Sequence, residues 1–158
     1  MREQLLSARN LLLGTTNILL LAVPEGWRVL DGPAAPEVDR WSERENRRWM
    51  SQGQASYRLA WVAPSAPGLA RAEVELRIVA SPLPAGVPHA VRHRYVTLRR
   101  GLLPRREVPA AVVEVDCPLT ERRLRLELVP ALRREGLAAG QDDLAQLVRA
   151  LLEGLRCH

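Results

Sequence analysis

The sequence predicts a single α+β domain over residues 1–158, in which helices flank a mainly antiparallel sheet of about six to seven strands. The chain is 158 residues long and 47% hydrophobic, which is enough for one ordinary core. Apolar and polar residues alternate along residues 54–62 and 71–80, the pattern of half-buried strands. Leucines recur at helical spacing along residues 142–156, which predicts an amphipathic C-terminal helix.

The first part of the chain predicts a helix and then two strands. Residues 2–13 carry apolar side chains on one helical face and are followed by a glycine, so we expect an extra N-terminal helix within residues 1–14. Residues 17–23 are a short aliphatic run, which is typical of a buried strand. A Pro-Glu-Gly turn then leads into a second strand at residues 27–30.

The middle of the chain predicts two helices separated by a hairpin. Residues 37–50 fit a short helix that carries Trp41 and Trp49 on one face. The two alternating runs that follow are expected to pair as the hairpin. Residues 88–100 fit a second helix, because a proline starts the segment, Gly101 ends it, and its apolar residues are spaced by four, three and four. These apolar residues are Val91, Tyr95, Leu98 and Leu102.

The last third of the chain predicts two paired strands and the terminal helix. Residues 105–116 form the first strand, interrupted at Pro109, and residues 121–129 form its partner after a turn at 117–120. One of two consecutive aspartates is expected to cap the terminal helix.

Short sequences along this order of elements match a known pattern. An aliphatic strand leads into PEGW at residues 24–27, and ELRIVASPL at 75–83 precedes a segment that ends LRRGLLP at 98–104. The terminal helix ends LEGLR at 152–156. In these features the chain resembles the PsbP-like α/β sandwich family, the fold of the extrinsic photosystem II protein. The resemblance implies a protein-binding, adaptor or chaperone-like module, since that family has no shared catalytic site and a fold does not determine a function.

The charge pattern indicates a candidate binding surface. All 23 basic residues are arginines, and the net charge is +5. Residues 76–106 contain seven arginines and two histidines without one carboxylate, so this segment could meet phosphates, nucleic acid or an acidic partner. The alternative is that glutamates of neighbouring strands neutralise it. The candidate binding residues are Arg92, Arg99, Arg100, Arg105 and Arg106.

Two tryptophans are the other binding candidates. Trp41 and Trp49 lie eight positions apart and could anchor a partner protein, as exposed tryptophans often do. Burial of both rings against the sheet is the alternative. Another protein is therefore the partner we expect, nucleic acid is the second possibility, and the oligomeric state stays open.

No catalytic or metal-binding pattern in the sequence is complete. His89 and His93 have the spacing of a zinc pair on a helix, but no third ligand accompanies them. We therefore expect no enzyme, no metal and no cofactor. The remaining catalytic alternative is a small hydrolase that uses Asp116 or Cys117 in a pocket.

The two cysteines and the N-terminal segment bear on the cellular compartment. If the terminal helix ends near Cys117, then Cys157 could pair with it in an oxidising environment. The apolar run at residues 11–23 is split by polar residues and precedes no small-residue cleavage site, so we expect a cytoplasmic protein with reduced cysteines. No apolar run has the length of a membrane span.

Overall fold

The computed structural model describes residues 2–10, 14–31, 53–62, 70–100, 106–131 and 139–157. Within these ranges, eight strands form one antiparallel sheet and a single helix follows them. Among the described residues, no helix is both long enough and apolar enough to cross a membrane. The elements are β1 (Arg2–Asn10), β2 (Gly14–Val23), β3 (Trp27–Asp31), β4 (Gly53–Val62), β5 (Ala70–Pro82), β6 (Ala90–Arg100), β7 (Arg106–Cys117), β8 (Arg122–Pro130) and α1 (Gln141–Gly154).

The sheet runs in the order β2-β1-β4-β5-β8-β7-β6, and β3 pairs with β4 beside this path. The predicted hairpin is confirmed, because β4 and β5 pair from Gly53 opposite Ala80 to Val62 opposite Ala70. The predicted pairing of β7 with β8 is also confirmed. Alternation along these strands sends one set of apolar side chains towards α1, and this set forms the core.

The predicted N-terminal helix is wrong over residues 2–10, which form β1. This strand pairs with β2 from Arg2 opposite Val23 to Asn10 opposite Gly14, with an irregularity after Leu6. Its residues are mostly good helix formers, but strand pairing and the complete burial of Leu6 outweigh that weak preference. The turn before β3 is confirmed by a hydrogen bond from the Trp27 amide to the Pro24 carbonyl at 3.1 Å.

The predicted helix at residues 88–100 is also wrong, because most of this segment is β6. It pairs with β7 along its whole length, from Ala90 opposite Asp116 to Arg100 opposite Arg106. Since β6 is the last strand of the sheet, side chains that suggested a core-facing helical stripe remain in solvent. Val91 is 42% exposed and Tyr95 is 47% exposed. Thus the sheet is larger, and its helical cover smaller, than the sequence indicated.

The predicted interruption at Pro109 is wrong as well, since β7 continues through it opposite Thr97 of β6. The ladder between β7 and β8 begins only at Ala111. Proline can occupy this position because no described residue pairs with β7 there on the β8 side, so no N–H donor is needed towards that side.

The predicted C-terminal helix is confirmed as α1. The Asp143 carboxylate accepts a hydrogen bond from the Gly140 amide at 2.7 Å, which ties down the first turn. The helix packs on β2 and β7, and the Trp27 indole of β3 donates to the Gln146 side chain at 3.0 Å. Its buried residues are Leu144, Leu147, Val148, Ala150 and Leu151.

Candidate binding surface on the edge strand

The two faces of β6 carry different chemistry. Val91, His93 and Tyr95 lie opposite core residues of β7, so their side chains are on the same face of the sheet as α1. Arg92 and Arg94 alternate with them and project from the other face. The strand therefore presents an apolar and aromatic row on one side and a cationic row on the other.

The apolar row is exposed and partly ordered by ring contacts. The His93 and Tyr95 rings meet edge to face, with centroids 6.1 Å apart and planes at 85°. This T-shaped arrangement is a favourable geometry for aromatic rings. With Val91 in line, the row offers a partner apolar area next to the outer edge of β6, with which none of the described strands pairs.

Arg92 takes part in a buried carboxylate cluster. Its guanidinium lies 2.5 Å from Asp116 Oδ2, and Arg123 Nε lies 2.6 Å from Asp116 Oδ1. The Asp116 side chain is only 1% exposed, whereas those of Arg92 and Arg123 are 54% and 43% exposed. Hydrogen bonds from Arg123 and then Arg92 hold the pKa of Asp116 below its ordinary value, although burial acts in the opposite direction.

Two further carboxylates of β7 pair with arginines of β6. Glu114 lies between Arg94 at 4.0 Å and Arg125 at 3.9 Å. Near the far end of β6, Arg99 Nε donates to Glu107 at 3.2 Å. This is the neutralisation by neighbouring strands that the sequence left open. It is incomplete at Arg94, which shares its carboxylate with a second arginine.

An open cleft of about 350 Å³ lies over the cationic row. The two guanidinium groups can donate hydrogen bonds to acidic or carbonyl groups placed there. The carboxylate of Glu114, which lines the same cleft, would repel a strongly charged anion such as phosphate. The lining residues are Arg92, His93, Arg94, Val112 and Glu114.

Only some of the sequence-predicted site residues can be located. Arg92 and Arg99 are exposed on β6, as expected. Arg100 and Arg106 form the last register pair of β6 and β7, and only their backbone is described. Three other candidates, and the predicted helix at residues 37–50, lie outside the described residues. These three are Arg105, Trp41 and Trp49.

Sequence reasoning missed the apolar row and Arg94. The signal was the alternation of residues 91–95 (VRHRY), which was outweighed by the longer helical spacing. The helical face on which His89 and His93 were expected to lie together does not exist, since β6 is extended. In the described part of the chain, no group of three or more histidine, cysteine or acidic side chains could hold a metal ion.

The cleft does not include either residue of the hydrolase alternative. Asp116 is held between two arginines, and Cys117 is fully buried in the core. Comparisons with protein-family models, with curated proteins and with solved structures found no match to this chain.

Proposed function

We propose that the protein is a non-catalytic binding module that takes up an extended segment of a partner protein along β6. The observation that carries this proposal is the position of β6, an eleven-residue strand at the end of the sheet order. A strand at a sheet edge has one row of main-chain N–H and C=O groups free to pair with another chain. Addition of a strand to such an edge is a common mode of peptide recognition.

The two faces of β6 define the partner's chemistry. An added strand would put alternate side chains beside Val91 and Tyr95, where apolar residues fit, and the others beside Arg92 and Arg94, where acidic residues fit. The partner segment should therefore alternate apolar and acidic residues. This proposal agrees with the adaptor role that the PsbP-like resemblance implies.

The same arginines argue against a second copy of this chain as the partner. Pairing β6 with β6 of another molecule would bring cationic residues of the two strands together on one face, and like charges on neighbouring strands destabilise pairing. Charged side chains on edge strands commonly prevent such self-association. A different, acidic chain is the favoured occupant.

Selection of peptides by the purified protein tests the proposal. A displayed library of peptides as long as β6 should yield binders that alternate apolar and acidic residues. A synthetic binder should lose its affinity when alternate backbone nitrogens on its pairing edge are methylated, because methylation removes the N–H donors while the side chains stay in place. Binders without this pattern, or a methylated peptide that binds equally well, would contradict strand addition.

A charge-reversal pair locates the interaction on β6. Arg94→Glu should weaken an acidic binder by about tenfold or more, because it puts a like charge beside the peptide. Arg149→Glu, an exposed site on α1, is the matched control and should leave affinity within about twofold. Equal effects of the two variants would indicate a general dependence on net charge and would contradict binding at this edge.

The second candidate function is binding of an anion or nucleic acid through the segment at residues 88–106. The two guanidinium groups at the cleft favour it, whereas the ion pairs to Glu114 and Glu107 reduce the available charge. Affinity for a nucleic acid should then fall by about 0.7 to 0.9 log units per log unit of salt for each phosphate neutralised. Binding to single- or double-stranded nucleic acid with this slope, together with no peptide binding, would favour the second function.

A further inference from the structure

The two cysteines of the chain meet at the base of α1. Cys117 is the last residue of β7, and Cys157 follows α1 by three positions. The Cys117 Sγ lies 3.9 Å from the carbonyl oxygen of Cys157, although the residues are 40 positions apart. Both cysteines are buried, and neither forms a disulfide in this structure. The approach of the two cysteines that the sequence suggested is therefore present.

The segment that carries Cys157 is held to the sheet by few main-chain bonds. After α1 ends, Arg156 and Leu20 of β2 exchange two backbone hydrogen bonds, of 2.9 and 3.0 Å. The bridge is isolated from the ladders of the sheet. Segments with few backbone hydrogen bonds open more readily than central strands. Local opening of this segment would expose Cys157 while Cys117 stays in the core.

A partly buried cation lies beside the thiols. Arg122 is the register partner of Cys117 across β7 and β8. Its Nε and Nη1 are buried and hydrogen bond to no described residue. Arg122 would attract the thiolate form of either cysteine, although burial is the larger effect and raises the pKa of the Cys157 thiol. His89 adds a ring nitrogen 3.7 Å from the Cys157 Sγ.

We propose that Cys117 and Cys157 form an oxidation site that exchanges with a small disulfide, such as glutathione disulfide, and closes a bond from β7 to the end of the chain. This site is independent of the binding function proposed for β6. Its distinguishing feature is the order of events, in which the terminal cysteine meets the oxidant and the buried cysteine completes the bond.

The chemistry balances in two thiol–disulfide exchanges. The Cys157 thiolate of the opened segment attacks one sulfur of glutathione disulfide, which forms a mixed disulfide and releases one glutathione thiolate. When the segment closes, the Cys117 thiolate beside Arg122 attacks the Cys157 sulfur and releases the second glutathione. The protein loses two electrons and two protons, and the glutathione disulfide gains both as two thiols.

Equilibration of the reduced full-length protein in glutathione buffers of increasing oxidation tests the proposal. Intact mass after acid quenching should show a monomer lighter by two hydrogens without an adduct, and alkylation after denaturation should fall from two thiols to none. The oxidised protein should melt about 10 °C higher, because the new bond closes a loop of about 40 residues. Retention of both thiols at every ratio, or formation of disulfide-linked dimers only, would overturn the proposal.

Two single variants test the order of events, and the wild-type measurement does not depend on their folding. Cys117→Ala should accumulate one glutathione on Cys157, because the resolving thiol is absent. Cys157→Ala should keep Cys117 unmodified in the folded protein, because that side chain is 0% exposed. An adduct on Cys117 of the second variant, with none on Cys157 of the first, would contradict the proposed order.

Discussion

Gly154, the last residue of α1, packs directly on Ala22 of β2. A methyl group at Gly154 would overlap the Ala22 side chain and would lie only 3.3 Å from its Cα atom. Helix and strand therefore meet almost backbone to backbone at this point. The close approach lets the chain continue into the bridge between Arg156 and Leu20, which brings Cys157 to the core.

Replacement of this glycine tests the close approach. Gly154→Ala should lower the free energy of unfolding by about 2 kcal/mol, because the added methyl group overpacks the contact and this outweighs the better helix propensity of alanine. Urea denaturation provides the measurement. Glu153→Ala, at the exposed neighbouring position, is the control and should change stability by less than about 0.5 kcal/mol. A Gly154→Ala protein as stable as the wild type would contradict the close packing of Gly154 on Ala22.

Asp116 should stabilise the fold through its two arginines. Asp116→Asn should lower the free energy of unfolding by about 2 kcal/mol at neutral pH, because a charge-assisted cluster is lost from a buried position. Glu107→Gln, in the exposed pair with Arg99, should cost less than about 0.5 kcal/mol and serves as the control.

The contribution of Asp116 should depend on acid pH with a defined sign. Its pKa is lowered in the folded state, so the stabilisation is complete above the unfolded value of about 3.9 and is lost as the pH falls through the lower folded value. The gap in stability between wild type and Asp116→Asn should therefore be constant near neutrality and shrink below about pH 4. A gap that does not change in acid would contradict ionised Asp116 as its source.

Arg122 should cost stability rather than add to it. Arg122→Met should raise the free energy of unfolding by about 1 kcal/mol, because it removes buried donors that lack hydrogen-bond partners among the described residues and keeps the apolar stem. Arg123→Met, at the next position, removes a partner of Asp116 and should act in the opposite direction. Thermal and urea unfolding of both variants measure the signs. Loss of stability in Arg122→Met would contradict a stability cost from its two buried nitrogens.

The stability of the folded protein at alkaline pH should depend on Cys157. Burial, then contact with Cys117, raises the pKa of the Cys157 thiol from 9.0 to about 12. The unfolded chain therefore loses this proton first, and the stability contributed by the protonated thiol is complete below pH 9 and is lost as the pH rises towards 12. Under reducing conditions, wild type should lose about 1 kcal/mol more per pH unit than Cys157→Ala above about pH 9. Parallel pH profiles would contradict the burial of this thiol.

The elements that the sequence predicted correctly are those in which the spacing of the apolar residues matches the face that is buried. Along β5 and β8, strict alternation coincides with pairing on both sides, so one face is forced into the core. In α1, the leucine spacing coincides with a face packed on β2 and β7. Such segments can be predicted because one physical requirement, burial of a continuous face, determines their pattern.

Prediction failed where strand pairing overrides the local pattern. The residues of β1 favour a helix locally, and pairing with β2 and β4 makes them extended. In β6, the edge position leaves Val91 and Tyr95 exposed. The spacing of apolar residues there therefore does not indicate whether the segment is a helix or a strand. The candidate surface depends on that edge and on carboxylates supplied by β7. The sequence could identify its arginines but could not identify Glu114 and Asp116 as their partners.

Amide hydrogen exchange along β6, with and without a bound acidic peptide, tests the proposed binding edge most directly. In the free protein, amides of β6 that point away from β7 should exchange quickly, while those bonded to β7 should be protected. When an alternating acidic and apolar peptide binds, protection should appear at these outward amides between Ala90 and Arg100. Protection that appears elsewhere on binding, or outward amides already protected in the free protein, would contradict strand addition at β6.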